Sequence, residues 1–206
     1  MGHDMFHQAV PAGADWWDRI LASREVRADI SLLAYHLVSV REGRPDPLPE
    51  PPIRTEAGRL LGERPGVELR HVKLMRWWDK LHYLLSGPRR AALHGPYNFK
   101  DAEDVGTMAV RGQRRLGQDI HGGQGYQVRY TDAEGALEVA AFLDRVTEAD
   151  LRTYYAPAEM RAAYVYKMSG DEGEQDFKYL LGYFHYLRRL YAEVVEHEEG
   201  VLVCIV

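Results

Sequence analysis

Four arginines, Arg111, Arg114, Arg115 and Arg129, fall in an interval where Asp119 is the only carboxylate. A guanidinium presents a planar fork of donors that matches a carboxylate or phosphate. In a chain of net charge -5, this interval is therefore a candidate anion site. Arg129 also precedes Thr131-x-x-Glu134, a capping-box pattern that predicts a helix starting after Thr131. The N–H groups at such a helix start favour an anion. The alternative is that Arg129 pairs with an acidic neighbour and orders a hairpin.

His82 is the histidine best placed for chemistry. It lies four residues beyond Trp78, beside a stripe of Leu74, Trp78, Leu81 and Leu85 spaced four, three and four apart, as on one helix face. There it can serve as an acid or base, or as a structural imidazole hydrogen-bonded to main chain. If His82, Trp78, Tyr126 and Arg129 converge, they form a small-anion pocket with Arg129 as anchor, Trp78 and Tyr126 as walls and His82 as candidate catalytic group.

Other chemistries lack their motifs. Nine histidines are present, but no HExxH and no paired Cys/His spacing, so no metal site is expected. The glycines from Gly117 to Gly125 fit neither GxxxxGK[ST] nor GxGxxG and read as hairpin turns, and no GxSxG occurs. No cofactor is implied. The single cysteine, Cys204, lies in an apolar run and is expected to be a buried small hydrophobe. Thirteen tyrosines offer either a recognition surface or packing at the core edge.

The elements that must position these residues follow from patterning. A chain of 206 residues, 46% apolar and 28% charged, suits one globular domain over 1–206. Mild acidity argues against nucleic-acid binding. No apolar run approaches the roughly 20 residues that span a bilayer, and no signal peptide opens the chain, so a cytoplasmic protein without membrane contact is expected. Met5 to Val10 reads as a strand with Phe6 and Val10 on one face, and Asp15 as the cap of a helix opening at Trp16. Val26, Ile30, Leu33, Leu37 and Val40 mark a longer helix, followed by a proline-rich connector at 44–52. Thr55 to Leu61 reads as a short helix, Gly62 to Gly66 as a turn, Val67 to Arg70 as a short strand, and Val72 to Gly87 as the central helix.

Residues 88–106 read as a lid, an insertion or a mobile loop, Thr107 to Val110 as a strand and Arg111 to Arg114 as a turn. Thr147 and Pro157 each open a further helix. After an acidic loop at 170–175, Phe177, Leu180, Phe184, Leu187, Tyr191 and Val194 step along a long amphipathic helix that Gly200 is expected to cap. Val201 to Val206 is apolar throughout and is placed mid-sheet. The expected fold is α+β, of three-layer α/β/α type, with helices on a small mixed sheet containing the N- and C-terminal strands.

Trp78, His82, Tyr83, Leu84, Leu85, Ser86 and Gly87 together resemble the central motif of the YfbM-like bacterial family, a domain of unknown function numbered 1877. The opening MGHDMFHQAVP, the run from Gly125 to Arg152 and the ending LRRLYAEVVEHEEGVLVCIV agree with it. The resemblance implies helices around a sheet and no activity. It places the family's Gly-Tyr and arginine at Gly125, Tyr126 and Arg129, with His121 to Gln124 as a small insertion. Where the family has Leu-Asp-Lys this chain has Leu74-Met75-Arg76, and the family's Tyr-Pro is matched only by Tyr166-Lys167. Two functions follow as expectations. The first is a non-catalytic binding protein that recognises or neutralises a partner protein, and the second is a small enzyme or sensor for an anionic metabolite.

Overall fold

The strand nearest the C-terminus, Glu199–Ile205, is buried at all seven positions and occupies the centre of a five-stranded sheet. The computed structural model describes residues 4–11, 14–24, 26–27, 66–87, 101–102, 104–116 and 128–205. Its strands are β1 (Met5–Pro11), β2 (His71–Met75), β3 (Arg114–Arg115), β4 (Val128–Thr131) and β5 (Glu199–Ile205), in the order β2-β1-β5-β4-β3. The class is α+β and the sheet contains the N- and C-terminal strands, as expected; β1 and β5 are neighbours in it. Every strand pair is antiparallel, so the sheet is not mixed. Thr131 at the end of β4 lies opposite Val201 near the start of β5. The intervening helices thus return the chain to the end of the sheet it left.

Period-2 alternation divides β5 and β1 between two cores. Val201, Val203 and Ile205 join Met5 and Ala9 in the larger one, and Leu202 joins Val10 in the smaller. Helix α1 (Ala14–Ala22) covers the smaller core through Trp16, Trp17 and Ile20. On the larger side lie α2 (Trp78–Ser86), α3 (Val105–Arg111), α4 (Ala133–Arg145), α5 (Glu148–Tyr154), α6 (Pro157–Ala162) and α7 (Glu174–Glu196). All six stripe residues of α7 are buried. Each such side chain contributes about 2 kcal/mol of gross stabilisation. Among the described residues no helix is long and apolar enough to cross a membrane.

Local chemistry accounts for the boundaries. Thr147 and Asp150 form a complete capping box for α5, and Pro157 opens α6. Helix α2 stops at Ser86, where the Gly87 N–H returns to the Tyr83 carbonyl. Other expectations are corrected. The central helix begins at Trp78 rather than Val72, because His71–Met75 pairs with β1. Leu74 is buried from a strand and Leu85 only half-buried, so the four-three-four spacing did not describe one helix face. Val67–Leu69 is a turn of 3-10 helix held by Gln8, whose Nε2 donates to the Val67 carbonyl at 3.0 Å.

Thr107 to Val110 is helix, not strand, because the Asp104 carboxylate caps α3 by accepting the Thr107 N–H at 2.8 Å. Asp132, not Thr131, caps α4, accepting from the Gly135 N–H at 2.8 Å. Asp15 sits in the first turn of α1 rather than at its cap. Helix α7 ends at Glu196, and Gly200 belongs to β5 opposite Val10. Residues 28–65, on which the rest of the expected second helix, the connector at 44–52 and the expected Thr55 to Leu61 helix fall, lie outside the described residues, as do 88–100 and 103 of the 88–106 segment. The described end of that segment, Val105 and Gly106, is the first turn of α3.

Burial governs the titration of two core groups. The Cys204 thiol is pushed up to about 12, in keeping with an inert small hydrophobe. His7, on β1, is completely buried beneath Ala109 and Val110 of α3, and neither ring nitrogen reaches hydrogen-bonding geometry. Desolvation pulls its pKa down to about 4 against the opposing pull of the Val110 and Ala109 main chain. Between that value and the ordinary value of 6.5 the unfolded chain binds a proton that the folded chain does not. Stability is therefore unaffected by His7 above pH 6.5 and falls as the pH drops toward 4. The expected loss at pH 5 is on the order of 2 kcal/mol. Urea unfolding of wild type and His7→Leu between pH 7.5 and 4.5 checks this, since only the wild type carries this slope.

Candidate functional site

Two glycines bring α3 against its neighbours. A Cβ on Gly106 would lie 2.5 Å from the Leu85 carbonyl oxygen, so the first turn of α3 packs directly on the last turn of α2. At the other end Gly112 has φ +78°, and a Cβ there would stand 3.0 Å from the Arg129 Cβ and 3.3 Å from a Val203 methyl. The helix is thus clamped between α2 and the sheet, and the buried polar side chains gather along it.

At its N-terminal end Thr107 is the hub. Its hydroxyl donates to Asp104 Oδ2 at 2.7 Å, which leaves its lone pairs to accept from His82 Nε2 at 2.9 Å and Ser86 Oγ at 3.2 Å. That assignment puts the His82 proton on Nε2. The other ring nitrogen faces Asp79 Oδ1 at 3.8 Å, and Asp79 Oδ2 accepts the Tyr166 N–H at 2.7 Å. In residue types this is an acid, imidazole and hydroxyl series. The Thr107 proton is nevertheless committed to Asp104, so His82 acts as a donor, and His82, Asp79, Ser86 and Thr107 are all buried. The geometry ties α2, α3 and the segment after α6 together.

At the C-terminal end lies Arg129, 2% exposed. Its Nε and Nη2 donate to the Gly112 carbonyl at 3.4 and 3.3 Å, and Nη2 also to the Gln113 carbonyl at 3.4 Å. These are long contacts. Nη1 finds no acceptor among the described residues. Burial, then the neighbouring Arg111, lowers the Arg129 pKa to about 10; Asp101 opposes this through space and Arg115 adds to it. Arg111 is itself buried. Among the described residues no acidic side chain touches the Arg129 guanidinium, and Asp119 lies outside them.

Of the residues singled out from the sequence, His82 and Arg129 are thus at opposite ends of α3. Thr107 to Gly112 spans five residues, about 7.5 Å of helix rise. No hydrogen bond joins the two. Trp78 is buried one turn from His82 and stacks on Tyr166, with ring centroids 6.1 Å apart. Gly125 and Tyr126 lie outside the described residues. Sequence reasoning missed Thr107, Asp104, Asp79 and Ser86. The available signal was Asp104-x-x-Thr107, the spacing of an N-cap to the third N–H. Among the described residues no group of three or more acidic, His or Cys side chains could hold a metal ion.

A second feature is open to solvent. Between β2 and α7 runs a groove with a volume of about 360 Å³. Leu69 to Lys73 form one wall, Tyr183, Tyr186 and Leu190 the other, and Arg189 and Glu193 stand on the α7 side.

The family model for a domain of unknown function, DUF1877, matches residues 56–204. The chain belongs to this family. The structure is similar to that of YfbM from Escherichia coli, a protein of unknown function. That likeness has a TM-score of 0.59 at 15% identity and covers 98% of this chain and 99% of the other. At such identity it speaks for the fold alone. Among curated proteins none matches the chain.

The Thr107 hub makes a stability claim. Thr107→Val keeps the shape but removes the acceptor of the His82 N–H and the donor to Asp104. The expected cost is about 2 kcal/mol, because buried polar groups are left unpaired. Thr107→Ser, which keeps the hydroxyl, is expected to cost less than about 1 kcal/mol. Denaturant titration of both variants decides it, and equal losses would show that the hydroxyl network contributes nothing.

Proposed function

We propose that this protein binds a small anion, with the Arg129 guanidinium as its anchor. The observation that supports this reading is a buried guanidinium that, among the described residues, has only long contacts to main-chain carbonyls, with one nitrogen lacking an acceptor and no carboxylate in contact. Burying a charge costs several kcal/mol unless it is paired. The neighbouring Arg111 and Arg115 make the position costlier still. An anion would supply a partner for that guanidinium. Carboxylates and phosphates match the planar donor fork. His82 lies at the far end of α3 as a hydrogen-bond donor, so the reading is one of binding or sensing rather than turnover.

A second reading, recognition of a partner protein, is favoured by the exposed aromatic surface of α7. Tyr179 and Tyr186 are 53% and 56% exposed, and Trp77 packs beside Tyr179 and Tyr183. Tyrosine and tryptophan are the residues that dominate binding surfaces.

Arg129→Met separates an anchor from a structural cap. If Arg129 is held for a ligand, the substitution raises the stability of the ligand-free protein by about 1 kcal/mol or more, as replacing buried charge with apolar volume often does. The same variant loses the saturable rise in melting temperature that phosphate or a dicarboxylate gives the wild type. A variant that is less stable, together with a wild type indifferent to every anion, would make Arg129 a C-terminal cap for α3 and end the proposal.

A further inference from the structure

We propose that the outer face of α7 binds a second copy of the chain, the two α7 helices crossing antiparallel at Gly182. This rests on the reading of α7 as a recognition face and gives that face its partner. It is independent of the anion reading. Lys178, Tyr179, Gly182, His185, Tyr186 and Arg189 step by three and four along the side of α7 opposite its buried stripe, with Gly182 at the middle.

Only proline is a poorer helix former than glycine. Neither usual reason for a glycine holds at this position. Gly182 lies inside a regular helix without a left-handed φ, and a Cβ there would meet nothing within 4 Å. At Gly106, by contrast, a Cβ would strike a neighbouring carbonyl oxygen at 2.5 Å. What glycine provides at 182 is a notch in which a second helix can approach more closely than over any side chain. Tyr179 and Tyr186 flank that notch, 53% and 56% exposed. They offer broad contact area at a low cost in conformational entropy.

The charges of the face select the partner and its direction. Lys178 and Arg189 are its cations, while Glu174 and Asp176 lie in the first turn of the same helix. A two-fold axis at Gly182 sets residues equally far before and after it opposite one another. Arg189 then faces Gln175 of the second copy, between Glu174 and Asp176. Lys178 faces the Tyr186 ring, a cation on an aromatic face, and Tyr179 faces His185. Arg189 is 75% exposed and has Glu193 of its own helix at 3.5 Å, a weak and screened pair that an acidic helix start can replace. Glu174 and Asp176 also pair with Arg152 and Lys80, and a carboxylate accepts from more than one donor. Parallel packing would set Lys178 on Lys178 and Arg189 on Arg189, and such like-charge contacts are unfavourable. The antiparallel arrangement is self-complementary and closed, so it stops at two copies.

Sedimentation velocity of the full chain from about 1 to 200 μM, a range that covers weak homodimers, tests this. The wild type is expected to pass from monomer to dimer. Gly182→Gln fills the notch and should weaken the dimer at least tenfold, with an unchanged circular dichroism spectrum because the added side chain has open space and favours helix. Arg189→Glu should weaken it as well, and adding Gln175→Arg should restore it by exchanging the two partners. A wild type that stays monomeric, a dimer indifferent to Gly182→Gln, or a loss in Arg189→Glu that Gln175→Arg does not restore would overturn the proposal. The broader recognition reading fails on a different result, a Tyr179→Ala/Tyr186→Ala variant that retains every protein the wild type captures.

Discussion

The close approach of α3 to both α2 and the sheet is the constraint on which the polar interior depends. Any side chain at Gly106 would collide with the Leu85 carbonyl, and one at Gly112 would press on Arg129 and Val203 in a backbone conformation that L residues avoid. With α3 seated, Thr107 meets His82, the main chain of Ala109 and Val110 closes over His7, and the Gly112 carbonyl meets Arg129. A helix of seven residues thereby sets the surroundings of three buried titratable side chains.

Those surroundings differ in how well they compensate burial. Glu199 accepts two hydrogen bonds from Arg70, and Asp79 accepts the Tyr166 N–H. Burial acts to raise the Glu172 pKa, but main-chain N–H groups at Ser169 and Gly170 overcome it and hold the group at about 2, with Lys80 and Arg161 also in reach. In each case a carboxylate has counter-charge or N–H donors. Among the described residues Arg129 has neither a carboxylate in contact nor an acceptor for Nη1. The buried carboxylates are matched better, which sets Arg129 apart.

How much was legible in the sequence depended on whether a pattern had one structural meaning. The α7 stripe and the β5 apolar run did, because 23 residues of helical period and an unbroken apolar run rich in β-branched residues each admit one arrangement. The Thr147 box was readable for the same reason. Leu74 was not, since a buried strand residue just before a helix falls on the same core as the helix does. Thr107 to Val110 misled because a short apolar run is ambiguous between strand and helix until its cap is recognised, and Asp104 was that cap. Arg129 and His82 could be singled out by residue type and local pattern alone. Their surroundings were beyond reach, because Gly112 and Thr107 become their neighbours only through tertiary packing.

Strand register separates Arg129 from the groove beside α7. Val72 of β2 stands opposite His7 of β1, His7 opposite Val203 of β5, and Val203 opposite Arg129 of β4. Three inter-strand steps of roughly 4.8 Å put about 14 Å between the groove edge and the Arg129 backbone. A small anion cannot bridge that distance. The row between them consists of a buried, neutral His7 and a close-packed Val203, with Gly112 pressed on the latter. Close-packed rows of this kind have no slack to take up a displacement. Any communication between Arg129 and the groove edge therefore requires α3 or β1 to shift as a body, and His7, on β1 beneath Ala109 and Val110 of α3, is the residue that would feel it first.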